Sequence, residues 1–244
     1  MSFPASAPVL PDVRRTLAVF AHPDDVDFGC AGTIAGWVNE GIEVAYLIVT
    51  RGESGGFDDT PREEMAARRE AEQRAAAAAV GVRRVDFLDG HPDGLLTASP
   101  ELRRQVTTAI RRFRPDRVVT SSPLRRWEHL TGPSHPDHLA VGEATTCAVY
   151  PDSRNRFAFP ELLAEGLEPW VVREIWYAGG PSPDHVVDVT DQVDQKIAAI
   201  RAHHSQTADL DVAAWVRDRL TAIAAGGGLP TGRLAEAFTV LRTE

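Results

Sequence analysis

The sequence predicts an α/β fold of Rossmann-like type, three layers deep (α/β/α), with a mostly parallel sheet between two layers of helices. Three observations predict it. Short runs rich in Val, Ile, Leu and Phe recur along the first half of the chain, and runs apolar on both faces mark strands buried on both sides. Longer stretches of helical periodicity separate them. Each run ends in polar or glycine residues, so each strand opens into a loop. The alternation β-α-β-α-β-α-β then calls for right-handed crossovers with helices on both faces.

The elements follow in order. "TLAVFA" (16–21) is the first strand, and "AGTIAGWVNEG" the first helix, starting near Gly29 and stopped by Gly41. "VAYLIVT" (44–50) is the second strand, and "PREEMAARREAEQRAAAAAVG" a helix opened by Pro61 and stopped by Gly81. Its Arg68, Arg69 and Arg74 interleave with Glu63, Glu64, Glu70 and Glu72, the pattern of a solvated face with i,i+4 pairs. "RRVDFLD" (83–89) and "PDRVVTSS" (115–122) are further strands flanking "SPELRRQVTTAIRRF", a helix started by Ser99 and Pro100. "SHPDHLAVGEATTCAVY" reads as another helix. The Pro- and aromatic-rich segment over 151–170, which has no clear period, reads as a packed excursion near the site mouth, either a lid or a subunit contact. "VREIWYAGG" and "HVVDVT" are two more strands, followed by helices over 191–203 and 209–225. With no internal repeat or low-complexity linker, residues 1–244 read as one domain.

Composition narrows the function. The chain of 244 residues carries a formal charge of −9, whereas a nucleic-acid binder needs a clustered basic face. Lys196 is the single lysine among 26 basic residues, a mark of a GC-rich genome. Cys30 and Cys147 form no CxxC or disulfide framework, which suits a reducing cytoplasm. No apolar stretch approaches the roughly 20 residues of a membrane span, and the N-terminal residues lack the basic and apolar regions of a signal peptide. The expectation is a cytoplasmic protein acting on a small molecule, with a homo-oligomer left open.

In a parallel sheet of this kind, ligands bind beyond the carboxyl ends of the strands. That directs attention to the loops over 22–32, 51–61, 89–97 and 121–137. In "AHPDD", Pro23 fixes its own φ and biases His22 to extended backbone, so His22, Asp24 and Asp25 project from a rigid bend. In "SHPDH", His135 and His138 lie i,i+3 on one face of a helix start, with Ser134 as N-cap, Pro136 in the first turn and Asp137 favouring the positive helix end. His and Asp are ordinary zinc ligands, and a catalytic zinc takes about three protein ligands plus an open position. Two His-Pro-Asp clusters at the ends of strands in one sheet therefore point to a metal site.

With "AHPDD", "GTIA" at 32–35, "TRGE" at 50–53, the Arg69-to-Glu72 RxxE, "PDG" at 92–94, "HPDH" at 135–138 and "AHHSQ" at 202–206, the chain resembles the LmbE/PIG-L family of zinc-dependent de-N-acetylases over nearly its whole length. The resemblance implies His22, Asp25 and His138 as ligands of one Zn2+, or of another divalent ion such as Fe2+. It implies Asp24 as general base, His135 as the group that stabilises the oxyanion, and Arg69 and Asp93 as substrate-binding residues for sugar hydroxyls. Asp137 either orients His135 and keeps it protonated or serves the helix start. His185, His203 and Gln206 are candidate pocket residues. Two departures from the family pattern stand out. Val26 and Asp27 replace a common Glu after the second aspartate, leaving Asp27 either to support the site or to cap the first helix. Pro133 stands where some sugar deacetylases carry Tyr.

The function expected is hydrolytic removal of an acyl group, acetyl in the first instance, from an amino sugar or sugar-containing small molecule. An amidase for thiol-sugar conjugates is the alternative within the class. A Rossmann-like nucleotide-binding module without hydrolase activity is the alternative outside it. "FGCAGTIAG" lacks the G-x-G-x-x-G spacing of a dinucleotide site, and Asp24, Asp25 and Asp27 would repel a pyrophosphate.

Overall fold

The computed structural model describes residues 10–56 and 59–243. Its centre is a seven-stranded sheet of order β3-β2-β1-β4-β5-β7-β6. The strands are β1 (Arg15–Phe20), β2 (Glu43–Ile48), β3 (Arg84–Phe87), β4 (Arg117–Ser121), β5 (Glu174–Ala178), β6 (His185–Asp188) and β7 (Ala235–Arg242). β1 to β5 pair in parallel, and β7 runs antiparallel between β5 and β6. The helices are α1 (Asp25–Asn39), α2 (Arg62–Ala79), α3 (Pro100–Phe113), α4 (Pro136–Val149), α5 (Glu161–Ala164), α6 (Val193–Ala202), α7 (His204–Thr207) and α8 (Val212–Gly226). Among the described residues no helix is long and apolar enough to cross a membrane.

The period of two along each strand sorts the core into two layers. Ala18, Phe20, Tyr46 and Ile48 face one way and pack with Ile34 and Ala35 of α1, Ala76 and Ala77 of α2 and Ala199 of α6. Leu17, Val19, Ala45 and Leu47 face the other way, onto Leu102, Val106 and Ile110 of α3 and Val141, Ala144 and Ala148 of α4. α8 covers α6 through Val212, Val216 and Leu220. Each fully buried Leu, Ile, Val or Phe contributes about 1.5–3 kcal/mol, so these two layers hold the fold and leave the strand ends free to be charged.

Four features differ from the sequence expectation. β7 was not expected, because Glu236 interrupts its inward-facing row with Phe238 and Val240; that Glu is 1% exposed. α1 starts at Asp25, four residues before Gly29, and breaks at Cys30 (φ −149°, ψ 16°). Ser134 does not cap α4: its Oγ bonds Arg126, while the capping atom is Nδ1 of His135, which accepts from the N–H of Asp137 at 3.2 Å. Finally, the excursion lies at the opposite end of the sheet from the site mouth. Trp170 Nε1 donates to Pro115 O just before β4, and Arg111 of α3 donates to the carbonyls of Asp152, Ser153, Asn155 and Ala158. A helix that follows a parallel strand runs back along the sheet, so the chain leaving α4 emerges beside the strand starts.

The strand order reverses at β1. The chain leaves β1 towards β2 on one side, while β4 lies on the other. The loops after β1 and β4 consequently part and leave a crevice at their carboxyl ends.

Candidate active site

The bend after β1 is held open by force. Asp24 has φ 99° and ψ −30°, a left-handed backbone that costs a non-glycine residue on the order of 1–2 kcal/mol. Its N–H donates to Gln73 Oε1 at 2.8 Å, and its C=O accepts from Asp27 N at 2.8 Å and Phe28 N at 3.0 Å. Arg69, one turn from Gln73 on α2, donates to Pro23 O at 2.6 Å, Asp24 Oδ2 at 2.9 Å and Gly52 O at 2.9 Å. Gly52 has to be glycine: its φ is +64°, and a Cβ there would lie 2.2 Å from Arg69 Nη1. The guanidinium is buried, at 4% exposure, and all its hydrogen bonds go to the protein. The structure makes Arg69 a clamp on the bend, with its Nε left without a partner among the described residues.

Three donor groups converge beside this bend. His22 Nδ1 lies 3.2 Å from Asp25 Oδ2 and 3.2 Å from His138 Nε2, and His138 Nε2 lies 2.9 Å from Asp25 Oδ1. A tetrahedral site with bonds of about 2.0–2.1 Å sets its ligand atoms about 3.3 Å apart, so this set fits a zinc-sized ion. The far nitrogen of His22 is fixed as well: Nε2 lies 3.0 Å from Asp93 Oδ1 and 3.1 Å from Asp137 Oδ2. Those carboxylates hold the proton on Nε2 and leave Nδ1 to ligate, the usual arrangement behind a metal-bound histidine. His135 also stands within reach of His22 and His138, with ring centroids at 5.1 and 5.4 Å. Asp25 meets His22 through Oδ2 and His138 through Oδ1, which makes it a candidate third ligand beside His135.

The two carboxylates behind His22 have further partners. Asp93 serves His22 and the neighbouring loop: its carboxylate accepts from Ser54 N at 2.9 Å, and its N–H donates to Glu53 Oε1 at 2.8 Å. Asp137 does not hold His135. Its fully buried carboxylate takes His22 Nε2, Gly94 N at 2.8 Å and Leu96 N at 3.1 Å.

The electrostatics match this arrangement. Burial pulls His22 down, but the Asp25 charge and hydrogen bonds to Asp137, Asp25 and Asp93 outweigh it and push it up to about 12; such a surplus of negative charge suits a cation. Burial raises Asp24 to about 6, with Arg69 opposing and Asp25 assisting. His135 is lowered by burial and by the neighbouring His22 and His138. It is not held protonated by Asp137.

Behind the bend lies a buried polar network that the sequence reading largely missed. Asp27 Oδ2 accepts from Gln73 Nε2 at 2.7 Å and pairs with His203 Nε2 at 2.8 Å, so Asp27 is no helix cap. Lys196 Nζ donates to the carbonyls of Asp27 and Phe28 and to Glu236 Oε1, whose carboxylate accepts from Gly32 N and Thr33 N. The break at Cys30 orphans those carbonyls and amides, and the ion pair satisfies both sets. Gln73 did carry a signal: Met65, Arg69, Gln73, Ala76 and Ala77 form the buried stripe of α2, and polar residues on an inward stripe are out of place unless partnered.

The remaining candidates divide. Gln206 lies at the Arg69 rim, 3.4 Å from where a Gly55 Cβ would stand. His185 does not join the site; its ring packs on Trp176 at 4.9 Å. An open groove of about 430 Å³, lined by Arg51, Glu53, Arg62, Glu63 and His91, adjoins the Asp93 loop.

Comparison with known proteins gives concordant matches. The PIG-L family model, described as GlcNAc-PI de-N-acetylase, matches residues 17–149. The diacetylchitobiose deacetylase of Thermococcus kodakarensis is 34% identical over 200 residues, covering 80% of this chain and 71% of that one. A 1D-myo-inositol 2-acetamido-2-deoxy-alpha-D-glucopyranoside deacetylase of Kineococcus radiotolerans is 31% identical, covering 86% and 73%. Among solved structures, the N,N'-diacetylchitobiose deacetylase of Pyrococcus horikoshii superposes with a TM-score of 0.85 at 30% identity, over 94% of this chain and 84% of that one.

Proposed function

The chain belongs to the PIG-L family of de-N-acetylases, and from that premise we propose that it is a metal-dependent hydrolase removing the acetyl group from an N-acetylglucosamine-bearing small molecule. The observation that carries the reading is the convergence of His22 Nδ1, the Asp25 carboxylate and His138 Nε2 next to a carboxylate, Asp24, that is clamped by Arg69. His22, Asp25 and His138 would hold the ion, Zn2+ in the first instance and Fe2+ as the alternative. When bound, such an ion supplies Lewis-acid chemistry, which makes water nucleophilic at neutral pH and polarises an amide carbonyl.

The side chains account for the proton movements. Asp24, held near 6, is ionised at neutral pH yet basic enough to take the proton of the attacking water. Once protonated, it returns that proton to the departing amine. His135 accepts the Asp137 N–H at Nδ1, so its Nε2–H is free to meet the charge gathering on the carbonyl oxygen. Arg69 keeps the Asp24 carboxylate in place without touching the reacting bond.

The substrate class draws on the groove beside Asp93. Its mixed lining of Arg51, Glu53, Arg62, Glu63 and His91 suits the hydroxyls of a second sugar or an inositol better than an apolar aglycone. An amidase acting on thiol-sugar conjugates would use the same centre. Acetate release from N-acetylglucosamine, its disaccharide and an inositol conjugate, compared with amine release from a thiol-sugar conjugate, separates these two. Wild type should deacetylate at least one sugar substrate with one divalent ion per chain. Asp24→Asn should keep the ion and lose about 10²–10⁴-fold in kcat. A protein that binds no divalent ion, or an Asp24→Asn variant with wild-type turnover, would overturn the reading.

A further inference from the structure

We propose that Gln73 is a positioning residue for Asp24, and that Asp27 and His203 hold its amide in the one orientation that works. The proposal rests on the reading of Asp24 as the general base. Gln73, Asp27 and His203 are each 0% exposed and lie in line behind the bend, where substrate cannot touch them.

The direction of the chain of bonds is fixed at its first link. The N–H of Asp24 can only donate, so the group facing it at 2.8 Å must be the amide oxygen of Gln73. The amide nitrogen is then turned to Asp27 Oδ2 at 2.7 Å, and His203 Nε2 meets the same oxygen at 2.8 Å. A flipped amide would set N–H against N–H at Asp24 and oxygen against oxygen at Asp27. In a dry interior both are costly. Asp27 therefore selects the Gln73 orientation, and His203 holds Asp27 in the position from which it does so.

Asp24 needs this support because of its backbone. At φ 99° it occupies a conformation that persists only where the surroundings over-determine it. Arg69 holds the carbonyl of Pro23 and the Asp24 carboxylate, and among the described residues Gln73 is the acceptor that holds the Asp24 N–H. Without that acceptor the bend loosens and the carboxylate drifts from the attacking water. A displacement of about 1 Å costs on the order of 10²-fold in rate. His22 keeps its contacts with Asp93 and Asp137, so the ion should be retained.

The test is steady-state kinetics with a metal assay on the full-length holoenzyme. Gln73→Met should lower kcat about 10- to 100-fold with KM within about 2-fold and one ion per chain retained. His203→Phe, which leaves Gln73 in place, reads the same effect from the far end if Gln73→Met fails to fold; it should lower kcat with the ion kept. In an Asp24→Asn background, Gln73→Met should cost nothing further, since it acts only through that carboxylate. Wild-type kcat in folded Gln73→Met or in His203→Phe, or a loss that tracks loss of the ion, would each overturn the proposal. Turnover retained by Asp24→Asn alone would instead overturn the reading of the base.

Discussion

Asp137 gives the sharpest test of the metal centre, because the sequence left its carboxylate between His135 and the helix start, whereas the structure sets it against His22. The variant is Asp137→Asn. The wild-type carboxylate accepts three bonds: Gly94 N at 2.8 Å and His22 Nε2 at 3.1 Å on Oδ2, and Leu96 N at 3.1 Å on Oδ1. An asparagine has one oxygen. If it keeps Gly94 and His22, its NH2 faces the Leu96 N–H; turned the other way, it faces two donors. The first orientation is the cheaper and strands one buried N–H, at about 1–3 kcal/mol. For a chain of this size that corresponds to a fall in melting temperature of about 2–12 °C. The neutral amide also holds His22 Nε2–H less firmly, so metal affinity should fall about 10- to 100-fold. Asp137→Ala strands both N–H groups and should roughly double the stability loss. Chelator competition measures the affinity, and urea unfolding of the metal-free protein measures the stability. Unchanged affinity in Asp137→Asn, together with a shift only in the ionisation of His135, would return the carboxylate to His135 and refute this assignment.

Two further outcomes follow from the network behind the bend. Lys196→Met leaves Glu236 buried with its two backbone donors but no cation, and should cost about 3 kcal/mol in urea unfolding, the low end for a broken buried pair; adding Glu236→Gln should recover part of it, and a loss under about 1 kcal/mol would contradict the pairing. Burial lowers His203, but the hydrogen bond and charge of Asp27 outweigh it and raise it above 6.5. The charged pair therefore stabilises fully below pH 6.5, and that share is lost as pH rises through the raised value. Stability measured against pH should fall over that range in wild type and run flatter in His203→Gln, and parallel profiles would rule the linkage out.

The strand-helix alternation and the two His-Pro-Asp clusters were legible because each is local. A run of "TLAVFA" or a Pro inside "AHPDD" has the same physical meaning wherever it stands. What failed to show was partnership. Nothing near Asp137 in sequence says that His22, 115 residues away, is its partner, while the nearer His135 invites the wrong pairing. Arg69 reads as one more arginine on a charged helix until the helix face is known. Lys196 reads as a trace of codon usage; its amine closes a helix break that φ and ψ alone reveal. Residues that take their meaning from a bend or a break stay silent in sequence, since the bend itself is decided by tertiary contacts.

β7 leaves the ribosome after every other strand, yet it sits inside the sheet between β5 and β6. Until residues 235–242 emerge, β5 shows a bare hydrogen-bonding edge, and β6 has no neighbour at all. The nascent chain must carry that exposed edge through synthesis, the situation in which strands pair with the wrong molecule. Glu236 arrives with the same strand, so the break in α1 stays uncorrected until then. Ending the chain within β7 would free an edge, strand β6 and loosen the helix that begins at Asp25, and aggregation during expression would be its first visible sign.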